Sequence, residues 1–529
     1  MDNILLSITD LNVSFKSHDK DIVAVNNISL QIRKGETVAI VGESGSGKST
    51  SALSIMGLLP YPIAFHKKGS IKFNNQELLY AKKNFLRTIR GLRIGMIFQE
   101  PMMSLNPLHK IKKQIKEAIL IHKTLSTKYV NDRIIELMHL VGLNDVDKHL
   151  NNYPHQLSGG QRQRIMIAIA IANNPDLLIA DEPTTALDVT IQIQILQLIK
   201  NIQKKLGMSV LLITHDLGIV KYMANKVYIM QKSNLIEHGT VNTILNSPQK
   251  KYTKTLIKSL PKVLKRNKDF KPGPKILTIK NLKVYFPIQK GIFKRTVDYF
   301  KAVDNVSFSV HQGTTLGIVG ESGSGKTTLA QAILRLIPST GIINFKNKNL
   351  IKTTNSFYKR NLQFVFQDPY SSLSPRLSIY DIIAEGLEVH NIGHNNKVRK
   401  AIVLKALKDV GLNEDSLYKY PHEFSGGQRQ RIAIARTIVL KPEVIILDEP
   451  TSALDMSTQL QIIDLLLKLQ KSRKLSYIFI SHDLKVIRAL SDKLLIMKNG
   501  KIIETGDTNV ILNKPKEQYT KSLIKSSFK

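Results

Sequence analysis

Cysteine is absent from all 529 residues, which removes disulfides, thiolate metal sites and iron–sulfur clusters from consideration. Tryptophan is absent too, and aromatic residues make up only 6%. Acids are scarce beside bases: 41 Asp and Glu against 77 Lys and Arg leave a net charge of +36. Long apolar runs are missing. IMIAIAIA at 165–172 is among the longest, far short of the roughly 18–20 residues a membrane-spanning helix needs. The opening MDNILLSITD lacks the basic-then-apolar order of a secretion signal. The expectation is a chain kept in the cytoplasm, with any spanning role left to separate partners. The basic excess suits a nucleic-acid face in principle. It is scattered over both halves without an arm or block, so no nucleic-acid partner is expected; attraction to an anionic inner membrane leaflet is another use for it.

What the chain does contain is one set of motifs written twice in the same order. GESGSGKST at 42–50 returns as GESGSGKTT at 320–328, LSGGQ at 157–161 as FSGGQ at 424–428, and IADEP at 179–183 as ILDEP at 446–450. ITHD at 213–216 returns as ISHD at 480–483. Lys48 and Lys326 stand 278 residues apart, whereas Ser158/Ser425, Glu182/Glu449 and His215/His482 all stand 267 apart. A near-constant offset means two copies of one domain, each within the usual size of a globular unit. The expected division is residues 1–261 and 276–529, each with a C-terminal extension, joined by a proline-punctuated linker at 262–275. Pro248 with Tyr252-Thr253 is echoed by Pro515 with Tyr519-Thr520, so the extension belongs to each copy. Short apolar runs end at the glycine-rich loops, at the Asp-Glu pairs and just before the histidines. Such runs read as buried parallel strands of an α/β fold, a P-loop sheet core whose ligands gather at the strand C-terminal edge. The stretches from Gln99 to Ser158 and from Gln367 to Ser425 read as inserted helical subdomains.

Each motif suits a phosphate. In Gly42-Glu43-Ser44-Gly45-Ser46-Gly47-Lys48-Ser49-Thr50 the glycines let backbone N–H groups close around phosphate oxygens, and the helix start adds partial positive charge. Lys48 is placed to reach the β- and γ-phosphates and the Ser49 hydroxyl to ligate Mg²⁺. The second loop, Gly320-Glu321-Ser322-Gly323-Ser324-Gly325-Lys326-Thr327-Thr328, repeats these roles with Lys326 and Thr327. Asp181 and Asp448 end apolar strands and are aimed at Mg²⁺. Glu182 and Glu449 follow at the strand tip, where a carboxylate orients or deprotonates an attacking water. His215 and His482 are the candidates to touch the γ-phosphate. Ser158-Gly159-Gly160-Gln161 and Ser425-Gly426-Gly427-Gln428 open long helices and form a second anion cradle in each copy. One ATP hardly needs both cradles from the same domain, so two domains facing head to tail, each serving the other's ATP, is the economical arrangement.

With these motifs the chain resembles the ATP-binding-cassette family over nearly its full length. The resemblance implies that Phe15 and Phe286 stack on adenine, with Tyr285 as an alternative to Phe286, and that Gln99 and Gln367 bridge Mg²⁺ to the helical subdomain. It also implies two composite sites. Lys48, Asp181, Glu182 and His215 would work with Ser425 and Gly427, and Lys326, Asp448, Glu449 and His482 with Ser158 and Gly160. QEPMMSLNP, QDPYSSLSP, PHQLSGGQRQR and FPIQKGIFKR are similar to segments of oligopeptide and dipeptide importer ATPases, and the fusion of two halves most resembles the microcin C-type peptide importer group. The expected function is ATP hydrolysis driving uptake of peptides or peptide-like compounds, with nickel, glutathione or other small cargo left open. Two transmembrane permease subunits, docked near 100–157 and 368–424, and an external substrate-binding protein are the implied partners. The implied location is peripheral, on the cytoplasmic face of the inner membrane. Soluble twin-cassette translation factors also lack spans, but they carry a long charged helical linker, whereas this tether is short and broken by prolines.

Overall fold

The computed structural model describes residues 3–527 apart from 18–19, 100–103, 185–186, 259–271, 291–292, 294, 351–355 and 453. The expected linker at 262–275 therefore lies mostly outside the described residues. The chain separates into two units, one of residues 1–187 and 191–259, the other of 188–190 and 260–529.

In the first unit, β1 (Ile4–Phe15) and β2 (Ile22–Arg33) form an antiparallel pair. They lead into β3 (Thr37–Gly42) and α1 (Lys48–Met56). Later come β4 (Ile94–Ile97), α2 (Gly159–Ala170), β5 (Leu177–Asp181) and β6 (Ser209–Thr214). The hairpin β7 (Lys226–Gln231) and β8 (Asn234–Thr240) and the helix α3 (Lys251–Lys258) complete it. The core sheet has the order β8-β7-β3-β6-β5-β4, parallel from β7 to β4. Parallel strands need crossovers and are covered on both faces, which explains their near-continuous apolar sequence. Side chains alternate across the strand. Along β3, Val38 and Ile40 enter the core shared with β1, β2 and α1, while Ala39 and Val41 enter the one shared with the inserted helices Ile111–Leu120 and Thr127–Leu140.

The second unit repeats the plan. β9 (Lys275–Lys290) and β10 (Arg295–His311) form a longer antiparallel ribbon, followed by β11 (Thr315–Val319) and α4 (Lys326–Ile333). Then come β12 (Leu362–Val365), α5 (Gly426–Ile438), β13 (Val444–Asp448), β14 (Ser476–Ile480), β15 (Lys493–Lys498), β16 (Lys501–Asp507) and α6 (Gln518–Ser527). The sheet order β12-β13-β14-β11-β15-β16 matches that of the first unit position for position. The strands expected from apolar runs are present, and Asp181 and Asp448 are the last residues of their strands. Among the described residues, no helix is long and apolar enough to cross a membrane.

Candidate functional site

Each glycine-rich loop leaves the C-terminal end of the central strand and enters a helix through a left-handed glycine, Gly47 at φ 97° and Gly325 at φ 98°. A side chain there would be strained by φ alone and would also strike backbone, because a Cβ would lie 2.2 Å from the Ala24 carbonyl oxygen in one unit and 2.1 Å from that of Ala302 in the other. Lys48, Ser49 and Thr50 form the first turn of α1, and Lys326, Thr327 and Thr328 that of α4. Both lysines are buried, 6% exposed. Lys48 Nζ donates to the carbonyls of Gly42 at 2.8 Å and Glu43 at 2.7 Å, and Lys326 Nζ to Gly320 at 2.8 Å and Glu321 at 2.9 Å. Each cation is thus held inside the curl of its own loop by backbone carbonyls.

The acidic pairs, glutamines and histidines meet beside these loops. Ser49 Oγ donates to Asp181 Oδ1 at 3.1 Å. Burial, reinforced by the neighbouring Glu182 charge, pushes Asp181 up to about 6 against the opposing effects of Ser49 and Lys48. Asp448 is likewise raised to about 6 by burial and Glu449. A buried carboxylate so penalised is a ready ligand for a cation. Asp448 Oδ1 is a buried oxygen with no hydrogen-bond partner, and Ser49 and Thr327 hydroxyls stand beside the two aspartates. These all-oxygen groups fit Mg²⁺.

Glu182 and Glu449 sit just past the strand ends with left-handed backbones, φ 46° and 45°, uncommon outside glycine and asparagine. Their N–H groups donate to Ile213 and Ile480 carbonyls, which pins the conformation. Each carboxylate is gripped from two sides. His215 Nδ1 lies 3.2 Å from Glu182 Oε1, and Gln99 Nε2 donates to Glu182 Oε2 at 3.3 Å. His482 Nδ1 lies 3.2 Å from Glu449 Oε2, which also accepts from Gln367 Nε2 at 3.0 Å. Burial alone would lower both imidazoles, but the glutamate bond and charge outweigh it and raise them. Burial would raise Glu449; His482, helped by Lys326, holds it below the usual carboxylate range instead. The structure therefore joins Gln99 and Gln367 to the glutamates rather than to the aspartates.

Ser158 and Ser425 are N-caps of α2 and α5. Ser158 Oγ accepts from Gln161 N at 3.3 Å while Ser158 N donates to Gln161 Oε1 at 2.9 Å, and Ser425 with Gln428 does the same at 3.4 and 3.0 Å. This reciprocal box satisfies two donors at the helix start. It also turns the Gln161 and Gln428 side chains back on their own helices. The glycines lie inside the first helical turn rather than ahead of it. A Cβ on Gly160 would meet Ile191 Cγ2 at 2.8 Å and one on Gly427 would meet Thr458 Cγ2 at 2.2 Å, whereas Gly159 and Gly426 have ordinary space.

Among the aromatics, Phe15 is partly buried against the core of its own unit, whereas Phe286 is 42% exposed. Tyr285 points to the opposite face of β9, where its hydroxyl donates to Asp304 Oδ1 at 2.6 Å and Lys301 lies over its ring. Tyr519 of α6 was not foreseen at a loop: its hydroxyl accepts from Glu321 N at 3.1 Å. The echoed Tyr-Thr pair in the two extensions was the only trace of it in the sequence.

The ABC transporter family pattern matches residues 25–185 and 303–452, and the C-terminal region of oligopeptide/dipeptide transporters matches 236–280. The peptidoglycan transport ATP-binding protein YejF of Agrobacterium fabrum is 50% identical over 99% of this chain and 96% of its own length. The uncharacterized ABC transporter ATP-binding protein YejF of Escherichia coli K12 is 47% identical over 99% of both chains. The glutathione import ATP-binding protein GsiA of the same strain is 42% identical over 98% of this chain and 89% of its own. Two complete loop–carboxylate–histidine sets on matching sheets, and likeness along almost the whole chain, lead to one statement: the chain belongs to the ABC transporter family, as an ATP-binding ATPase with two cassettes in one polypeptide.

Proposed function

We propose that this ATPase energises import of peptides or peptide-like compounds across the inner membrane. In this reading it is bound peripherally on the cytoplasmic side to two permease subunits that an external binding protein supplies. The observation that carries the reading is that both units keep a complete set of lysine, aspartate, glutamate, glutamine and histidine. The transport-type C-terminal match and the relatives named for peptidoglycan and glutathione transport support the class of cargo.

In each unit the loop N–H groups and Lys48 or Lys326 hold the β- and γ-phosphates, and Phe15 or Phe286 stacks on the base. Ser49 with Asp181, and Thr327 with Asp448, would hold Mg²⁺, assisted by Gln99 and Gln367. Held there, Mg²⁺ would supply neutralisation of the phosphate charge. Glu182 and Glu449 orient the attacking water and take its proton, and the raised histidines fix the glutamates and face the γ-phosphate. The two halves pair head to tail, with Ser425 and Gly427 completing the Lys48 site and Ser158 and Gly160 the Lys326 site. An ATP gripped from both sides only in the closed pair biases that state; moving a population from 1:99 to 99:1 takes about 5.5 kcal/mol, and hydrolysis withdraws it.

The test is the double variant Glu182→Gln with Glu449→Gln. It is expected to bind ATP normally while hydrolysis falls by about 100-fold or more, and cells carrying it should lose uptake of a labelled peptide. Undiminished hydrolysis would remove both glutamates from the chemistry; undiminished peptide uptake by cells lacking the chain would remove peptides from its cargo.

A further inference from the structure

The mouth of each glycine-rich loop is built against one antiparallel ribbon, and the two ribbons differ in the residue that faces the candidate base-stacking phenylalanine. In the first unit Phe15 is paired with Ile22 across β1 and β2. In the second, Phe286 is paired with Phe300 across β9 and β10. Directly opposed residues of an antiparallel pair share a face. That face is the one turned towards the loop helix: Val284, two residues before Phe286, is buried in one core with Leu329, Ala330 and Ile333 of α4.

The ribbon also touches the loop itself. Both ribbons shift register next to the loop contact, between the pairs Val13–Val25 and Ser14–Val23 in one and Val284–Val303 and Tyr285–Lys301 in the other. The extra residue is Ala24 or Ala302, whose carbonyl abuts Gly47 or Gly325. A bulge of this kind re-aims the side chains beyond it. Two positions further out along the strand, about 7 Å at the usual rise, stand Ile22 and Phe300. Neither has been absorbed into a core: Ile22 is 60% and Phe300 57% exposed. Exposed apolar side chains side by side at the mouth of a nucleotide loop are spare for a flat ligand.

We propose that Phe300 is a second aromatic wall for the base of the nucleotide at the Lys326 loop, so that this site holds the base more tightly than the Lys48 site, where Ile22 stands in the same place. The inference rests on the reading that Phe286 stacks on the base, and it makes the inequality of the two sites a matter of the base rather than the phosphates. An extra ring contact is worth about a 2- to 10-fold change in affinity.

The experiment measures dissociation constants for ATP and for inorganic tripolyphosphate, which presents the phosphates without a base. The full chain is used with Lys48→Ala, so that the second loop dominates binding. Phe300→Ile should weaken ATP by about 2- to 10-fold and leave tripolyphosphate unchanged. The reciprocal Ile22→Phe, in a Lys326→Ala chain, should tighten ATP by a similar factor. If Phe286→Ala weakens ATP while both exchanges leave it unchanged, base stacking stands and the role of Phe300 is overturned. If Phe286→Ala also leaves ATP unchanged, the stacking reading fails first. Equal weakening of ATP and tripolyphosphate by Phe300→Ile would show that the ring acts on the loop and would overturn the proposal.

Discussion

Asp181 and Asp448 carry the most testable electrostatics in the molecule. Both are raised to about 6, chiefly by burial. A carboxyl with a raised pKa is neutral below that value and charged above it, and only the charged form holds a divalent cation. Hydrolysis should therefore need more Mg²⁺ as pH falls through about 6. Magnesium titrations of the ATPase at pH 7.5 and 5.5 should give a clearly higher half-saturating concentration at the lower pH, and excess Mg²⁺ should recover part of the activity. An unchanged requirement would separate these aspartates from the metal. Steric demand at one atom gives a second outcome at this scale. Gly427→Ala drives a methyl to 2.2 Å from Thr458 Cγ2, while Gly426→Ala meets Leu454 at an ordinary 3.6 Å. The first should cost about 1–3 kcal/mol of stability in denaturant unfolding and the second far less.

At the scale of elements, the C-terminal extension is tied down by one acid in each unit. Glu504 of β16 accepts from Lys516 N at 3.0 Å and Glu517 N at 3.2 Å. Against the effect of burial, these backbone bonds hold its carboxyl below the usual range. Glu237 of β8 does the same for the backbone N–H groups of Gln249 and Lys250. Glu504→Ala leaves those donors without their acceptor, so amide exchange across 515–525 should accelerate while the sheet strands stay protected; uniform protection would mean the helix is held by its apolar face alone. The loops, acids and histidines were legible because each works through its immediate backbone neighbours, and the echoed Pro…Tyr-Thr segments were visible as repeats. The acid that holds each extension lies on the preceding hairpin, with no local signature. Gly160 and Gly427 are readable in the sequence only as part of an anion cradle, yet close contact with Ile191 and Thr458, about 30 residues away in sequence, is what excludes a side chain. The left-handed backbones of Glu182 and Glu449 were equally hidden, since nothing in Asp-Glu-Pro announces a positive φ.

At the scale of the whole molecule, the proposed exchange of signature turns makes a claim about which residues belong together. Lys48 and Ser425 are 377 residues apart in the chain but are assigned to one site, whereas Lys48 and Ser158 share a unit but are assigned to different sites. Substitutions within one site should not add, because the second change removes a contact already lost; substitutions in separate sites should add. In a chain slowed by Glu182→Gln and Glu449→Gln, Lys48→Ala should abolish one of two bound ATP molecules, and adding Ser425→Arg should change little further. Adding Ser158→Arg to Lys48→Ala should instead remove the remaining ATP, since one change strikes each site. Equilibrium dialysis with labelled ATP at saturating magnesium reads the stoichiometry directly. If Ser158→Arg is the silent partner of Lys48→Ala and Ser425→Arg the destructive one, each unit would be using its own turn. The two cassettes would then be independent ATPases that happen to share a chain, and no closure of one on the other could drive transport.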